Sequence, residues 1–349
     1  MSLSDTPEFH QGPVISWLES LNPDQSGQGK HCQANSETSN PTAVPSMTSS
    51  SGSENLSEAD AVRAYLLKKD DYRAMNLSAL GIRFKLPGDK TPSPDWVASL
   101  VARVREARPD EEARSEELKT RHSLGYQTFF SGWAVGSWTV WEFFQYLEFR
   151  PSSYPCLYDF EQPPLKYDVG VEFKQHTIPH NTTRCWIQIA TPKPDLAFGY
   201  ETSISVFPQL AASEQLWRLK DSFYINSTPL LFPYLVWNGK TRDIPDSWYS
   251  VNKCLGDSAA CIHTNERVIK KNNAVFSITT DLNLISFYVM WKENGEYIMN
   301  GFETCNLQNF DGYMKCGRIL LNIHDWAKGE RLAAIAKSLD EWENPSSIK

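Results

Sequence analysis

Residues 230–237 read Leu-Leu-Phe-Pro-Tyr-Leu-Val-Trp, eight positions with no charge and no polar–apolar alternation. A strand with one wet face would alternate, so an unbroken apolar run predicts a strand covered on both faces. Such a strand needs a layer above and a layer below its sheet, and helices are the usual layers of a mixed α/β domain. The run ends in Asn238-Gly239-Lys240, which places a lone lysine just past the end of a core strand.

The surrounding chain supplies elements for that architecture. Lys166–Phe173 (KYDVGVEF) alternates and predicts a half-buried strand with Tyr167, Val169, Val171 and Phe173 on one face. RCWIQIA (184–190), NAVFSITTD (273–281) and LISFYVMWK (284–292) predict further strands, and Asn294-Gly295 predicts a hairpin turn after the last of these. Helices are predicted over SWYSVNKCLGDSAACIHTNERVI (247–269) and over two C-terminal stretches, 312–326 and 328–342. In the C-terminal block, Leu320, Leu321, Ile323 and Trp326 are the expected core residues.

Before position 151 the pattern is helical. SEADAVRAYLLKKDDYRAMNL begins with a capping serine, and SPDWVASLVARVREAR repeats the signature with Ser93 as cap and Pro94 in the first turn. Residues 110–125 and 137–148 continue as helix candidates. Residues 22–57 are dominated by Ser, Thr, Asn, Gln, Gly and Pro and cannot bury enough apolar surface to offset chain entropy. The expected organisation is a disordered tail over 1–56, a helical N-terminal part over 57–150, and an α/β core with C-terminal helices over 151–349.

At 349 residues with 41% hydrophobic composition, the chain can build a sizeable core. Its formal charge of −8 argues against a generally basic nucleic-acid binder, though a local basic groove is compatible with it. The seven cysteines show no C-x-x-C pair, which reads as reduced thiols in an intracellular protein of nucleus or cytoplasm. No apolar run approaches the roughly 20 residues of a membrane span, so no membrane association is expected.

The chemistry worth testing centres on Lys240. Phosphodiester cleavage can be performed by an acid at the start of one strand and an E-x-K pair on its neighbour. Alternation puts the acid and lysine of E-x-K on one face, two acids hold Mg²⁺, and the lysine orients the attacking water. Asp195, after Pro194 in KPDLAFGY, lies 45 residues before Lys240, which leaves room for a loop or helix between two adjacent strands.

KPDLAFGY, LLFPYLVWNGK, VNKCLGDSAACI and GRILLNIHDWAKGERLAAI, in that order, resemble the succession of blocks in the fungal-restricted proteins with a PD-(D/E)XK nuclease-like domain. The resemblance covers roughly residues 57–341. It implies a restriction-endonuclease-like mixed sheet flanked by helices, with Asp195, Asn238 and Lys240 at the catalytic positions and Asp195 as metal ligand. Asn238 stands where that pattern has glutamate. The resemblance therefore implies weak Mg²⁺ binding and an impaired ancestral phosphodiester hydrolysis, with any function exerted by binding. Lys253 departs in the same way, falling where the family often has glutamine.

Other readings stay open at this stage. Asn238-Gly239 can be simply a strand meeting a turn. A migrated acid such as Glu201 or Glu172 would restore a working metal-dependent nuclease. An accessory protein of a fungal biosynthetic pathway, with no nucleic-acid role and an unknown protein partner, is a third. Asp168, Glu172 and Lys174 contain a literal E-x-K but would share one strand, which reads as a solvated face. His176, His180 and Cys185 are poorly spaced for a metal because Pro179 interrupts the helix that an i, i+4 pair needs. Cys254 and Cys261 read as packing residues, and His324 as a helix-end residue satisfied locally.

Overall fold

The computed structural model describes residues 71–86, 89, 91–109, 111–112, 115–116, 118–120, 122–123, 164–179, 189–203, 205–239, 247–281 and 284–343. Among them seven strands form one sheet: β1 (Ile82–Lys85), β2 (Leu165–Val169), β3 (Leu196–Tyr200), β4 (Leu231–Gly239), β5 (Ala274–Asp281), β6 (Leu284–Glu293) and β7 (Glu296–Asn306). The helices are α1 (Asp95–Val104), α2 (Pro208–Ala212), α3 (Glu214–Phe223), α4 (Ser247–Asn265), α5 (Phe310–Trp326) and α6 (Leu332–Glu343). The fold is α/β, a mixed seven-stranded sheet with flanking helices.

The strand order is β1-β7-β6-β5-β4-β3-β2. Strands β2, β3 and β4 form an antiparallel meander; α4 then crosses over and returns the chain to β5, which pairs parallel with β4. A parallel neighbour requires a crossover connection, and α4 is that connection. Strand β4 lies mid-sheet and all nine of its residues are buried, as its unbroken apolar run predicts. Burial at roughly 1.5–3 kcal/mol per large apolar side chain makes this strand a principal source of core stability.

Two apolar layers sandwich the sheet. One packs Leu235, Trp237, Phe276 and Phe287 against α1, α5 and α6; the other packs Val236, Ala197, Val275 and Met290 against α4. Within the first layer Trp326 meets Phe276 edge-on, with ring centroids 5.4 Å apart. Arg331, buried in the π-helical turn between α5 and α6, donates to the carbonyls of Ala274, Phe232 and Pro233. It thereby ties the starts of β4 and β5 together where Phe232 adopts a φ of +44°.

The hairpin between β6 and β7 turns at Asn294 (φ 50°) and Gly295 (φ 84°), the pair of positive φ angles of a type I′ turn. Several expectations need correction. Pro94, not Ser93, caps α1, and no side chain bonds its first turn; a residue before proline is pushed towards extended backbone, so Ser93 stays outside. The strand predicted over 166–173 stops at Val169 because Gly170 turns left-handed at φ +60°. Val169 is 50% exposed, while Phe173 is buried and only bridges Asn226. Leu320, Ile323 and Trp326 are buried, but Leu321 is half-buried.

Strand β1 was not anticipated. It is four residues long and adds to the sheet edge parallel to β7, so the part before residue 151 is not purely helical. The predicted tail over 1–56, the helix candidate over 137–148, and nearly all of the strand candidate over 184–190 lie outside the described residues. Of the helix predicted over 57–77, only a π-helical turn at Arg73–Leu77 is described as an element.

Candidate functional site

Strand register brings Asp195 and Asn238 together. Leu196 pairs with Trp237 across the antiparallel β3–β4 ladder, which sets the residue before the one opposite the residue after the other. Ala197 and Val236 face α4, so by the two-residue alternation of strands Asp195 and Asn238 face it too. The Asp195 N–H donates to Asn238 Oδ1 at 3.3 Å, and the Gly239 N–H donates to Asp195 Oδ2 at 2.7 Å. Lys240 lies outside the described residues.

Helix α4 closes the cluster from above. Lys253 and Asp257 are one turn apart on its sheet-facing side, where i, i+4 side chains stack. The Lys253 ammonium donates to Asp195 Oδ1. Asp257 Oδ2 accepts from Asn238 Nδ2 at 2.9 Å, and its Oδ1 accepts from the Lys193 N–H at 3.1 Å. Asn238 Nδ2 also lies 3.2 Å from Cys254 Sγ, whose own S–H reaches the Ile278 carbonyl. Ser250 Oγ donates to the Gly239 carbonyl and pins the start of α4 to the end of β4.

The electrostatics follow from burial. Asp257 is 1% exposed, and burial pushes its carboxyl up to about 7 against the opposing pull of Lys253 and Asn238. Burial alone would lower the Lys253 ammonium, but the Asp195 and Asp257 carboxylates outweigh it and hold it above its usual value. Burial likewise raises the Cys254 thiol, which keeps it protonated and unreactive.

A divalent cation is poorly served by this donor set. It would need carboxylate lone pairs converging on one point. Each of the four oxygens of Asp195 and Asp257 already accepts a protein hydrogen bond, an ammonium touches Asp195, and the Asn238 carboxamide turns its NH₂ end towards Asp257. Among the described residues no group of three or more His, Cys, Asp and Glu side chains is arranged to hold a metal ion.

Asp257 and Lys253 carry the cluster as much as the nominated residues do, yet Asp257 was not nominated. The signal was available: a lysine and an acid at i, i+4 on a helix face otherwise built from Cys254, Ala260 and Cys261. The carboxylate beside Asn238 is thus Asp257, on α4. Glu201 stands at the far end of β3, where its N–H meets the Pro164 carbonyl, about 20 Å along the strand from Asp195. Glu172 follows the Gly170 turn and is not on β2.

The other candidates resolve into packing. Asp168 is not on a solvated face: its side chain is 9% exposed and accepts from Asn226 Nδ2 at 2.7 Å. His176 sits in a short 3₁₀ turn, where its carbonyl accepts from Arg267; His180 and Cys185 lie outside the described residues. Cys254 and Cys261 are buried on α4. His324 bonds at long range rather than locally, with Nδ1 2.8 Å from the Tyr234 hydroxyl.

The fold and cluster thus define a mixed α/β domain with a largely buried Asp–Asn–Lys–Asp network, Asp195 at its wet edge, where a meander strand meets its crossover helix. Residues 170–339 match the model of a domain of unknown function, DUF7924, which is 170 of the chain's 349 residues. The matched span holds β3 to β7, α4, α5 and all four network residues. No curated protein matches the chain. No helix among the described residues is long and apolar enough to cross a membrane.

Proposed function

We propose that this chain carries a nuclease-like core whose Mg²⁺-dependent phosphodiester chemistry has lapsed, and that it acts by binding rather than cleavage. Three features support a nuclease-like ancestry: Asp195 at the start of β3, Asn238 at the end of the adjacent β4, and a crossover helix leading to a parallel β5. The observation that carries the loss of activity is the Asn238 carboxamide, which points a donor at Asp257 where a metal would need an anionic oxygen. The wild-type chain is expected to bind Mg²⁺ and Mn²⁺ negligibly by calorimetry and to leave DNA and RNA uncut in either metal. Tight metal binding with cleavage would overturn the proposal.

The 2.9 Å contact between Asn238 and Asp257 favours one second reading. In it, Asp257 replaces the missing glutamate from α4, Lys253 supplies the amine, and the network opens to admit metal when nucleic acid binds. The same titration, repeated with a DNA or RNA oligonucleotide present, separates the two. Metal uptake only in the ternary mixture, lost in Asp257→Asn, supports the second reading.

A further inference from the structure

The residues at the β3–β4 strand ends do not suit the metal that a nuclease-like core would hold, and Lys253 supplies a specific reason. Its side chain lies on α4, one turn before Asp257, and is only 10% exposed. An ammonium withdrawn from water in this way is costly unless a carboxylate compensates it. Lys253 has two. Burial lowers its pKa, and the Asp195 and Asp257 carboxylates more than reverse that, with the ammonium donating to Asp195 Oδ1. The influence is mutual: after burial itself, Lys253 acts most strongly on the Asp257 carboxyl and draws it back down.

An ammonium and a divalent ion compete for the same oxygens. Mg²⁺ takes oxygen ligands at about 2.1 Å and Ca²⁺ at about 2.3–2.6 Å. Asp195 Oδ1 already meets Lys253. To bind there, an ion would have to displace a side chain tethered to α4 and leave its ammonium without a partner, which carries the cost of breaking a buried pair. This exclusion is distinct from that of Asn238, which acts on the Asp257 side of the network.

We propose that Lys253 is the resident cation of the strand-end site, taking the place of a metal ion and holding α4 against β3 and β4 without one. The inference rests on the nuclease-like reading of the core and deepens it: the surface at these strand ends is assembled permanently, and binding there is independent of divalent ions.

The test removes the ammonium and leaves Asn238 in place. Wild type, Lys253→Arg, Lys253→Gln and Lys253→Ala are purified in EDTA, then melted and titrated calorimetrically with Mn²⁺ and Ca²⁺. Wild type and Lys253→Arg should ignore both ions. Lys253→Gln and Lys253→Ala should melt below wild type in EDTA and recover when either ion is added. They should bind Mn²⁺ ~10-fold or more tighter than wild type, because the ion then compensates the carboxylates that the ammonium has left. Adding Asp195→Asn to Lys253→Gln should abolish the recovery. Lys253→Gln keeps most of the side-chain length and a donor for Asp195, so the test survives if Lys253→Ala does not fold; circular dichroism checks both. Metal responses equal to wild type in the neutral variants, or a recovery that persists with Asp195→Asn, would overturn this inference and leave the proposed function standing. Tight metal binding by the wild type, with cleavage, would overturn both.

Discussion

Asn238 gives its Nδ2 hydrogen to Asp257 Oδ2 at 2.9 Å, joining the end of a central strand to the middle of the helix that covers it. The contact sets an amide donor against an acid rather than one carboxylate against another. Lys253 and Asp195 form the other half of the same network.

Asn238→Glu should therefore have opposite effects with and without metal. In EDTA a third acid is forced beside Asp195 and Asp257 with one ammonium to share, and the chain should lose roughly 3–5 kcal/mol, the usual cost of an uncompensated buried charge. Mg²⁺ or Mn²⁺ should restore much of that stability, whereas the wild type should not respond. Adding Asp195→Ala should remove the response, because the ligands act together. Thermal melts of the three proteins with and without metal provide the check, and identical metal responses would mean that no metal centre can be rebuilt here.

The Asp257 carboxyl predicts a pH dependence. Its folded-state pKa of about 7 lies above the ordinary value near 4, so between these the folded chain holds a proton that the unfolded chain has released. Stability should then fall as pH rises from about 4 to about 7, by at most a few kcal/mol given ~1.4 kcal/mol per unit and the sharing of charge with Lys253. Asp257→Asn should flatten that slope in urea melts. Lys253, whose pKa is raised, contributes stability that is fully present throughout this window and is lost only above its ordinary value near 10.5.

His324 has the opposite sign. Burial pushes its imidazole down to about 3, so it stays neutral beside Tyr234 while the unfolded chain protonates near 6.5. Stability should fall as pH drops from about 6.5 towards 3. The two slopes oppose each other between pH 4 and 6.5. His324→Phe should expose the Asp257 slope alone, and Asp257→Asn the histidine slope alone. Parallel pH series on the two variants would reveal any error of sign.

Trp326→Ala should cost roughly 3–5 kcal/mol, the range for emptying a core aromatic site. The ring is 9% exposed, lies edge-on to Phe276 and has the Arg331 guanidinium 5.3 Å from its centroid. A cost under about 1 kcal/mol in denaturant melts would show that the C-terminal helices do not need this contact.

Gly199→Ala tests the packing where the far end of β3 meets the start of β4. A Cβ built there would stand 2.5 Å from the Leu231 carbonyl oxygen, where the β3–β4 register shifts. Because the obstacle is backbone, the strands must part, and an overpacking cost of about 1–3 kcal/mol is expected. A melting temperature equal to wild type would mean that the bulge absorbs the methyl.

Much of this fold was legible because its signals are local. The apolar run of β4, the β-branched and aromatic runs of β5 and β6, and the Asn294-Gly295 turn each fix an element within a few residues. Strand β1 was missed because Ile82-Arg83-Phe84-Lys85 alternates over only four residues, too short a run to mark a strand without its pairing to β7. The end of β2 was missed because a single glycine at φ +60° outweighs the alternation that continues past it. In the network, Asp195 and Asn238 could be read from strand ends, as each is one residue beyond the last β3–β4 pair, Leu196 with Trp237. Asp257 shows in the sequence only as an acid on an otherwise apolar helix face; its place beside Asn238 comes from the docking of α4, which no local pattern states.

Once every oxygen of Asp195 and Asp257 is engaged, Asn238 and Asp257 cease to vary independently. Asn238→Glu alone crowds three acids, and Asp257→Asn alone sets two amides against each other. Made together, the two substitutions exchange acid and amide, keep the charge of the network and keep one donor facing one acceptor. The double variant should accordingly be more stable than Asn238→Glu by itself, a coupling of the kind that double-mutant cycles measure between contacting residues. The order of substitution then matters to any lineage that carries this network. In the absence of metal, a carboxylate can be placed on β4 without loss of stability only if the helix gives up its own, so the two positions are constrained to change as a pair.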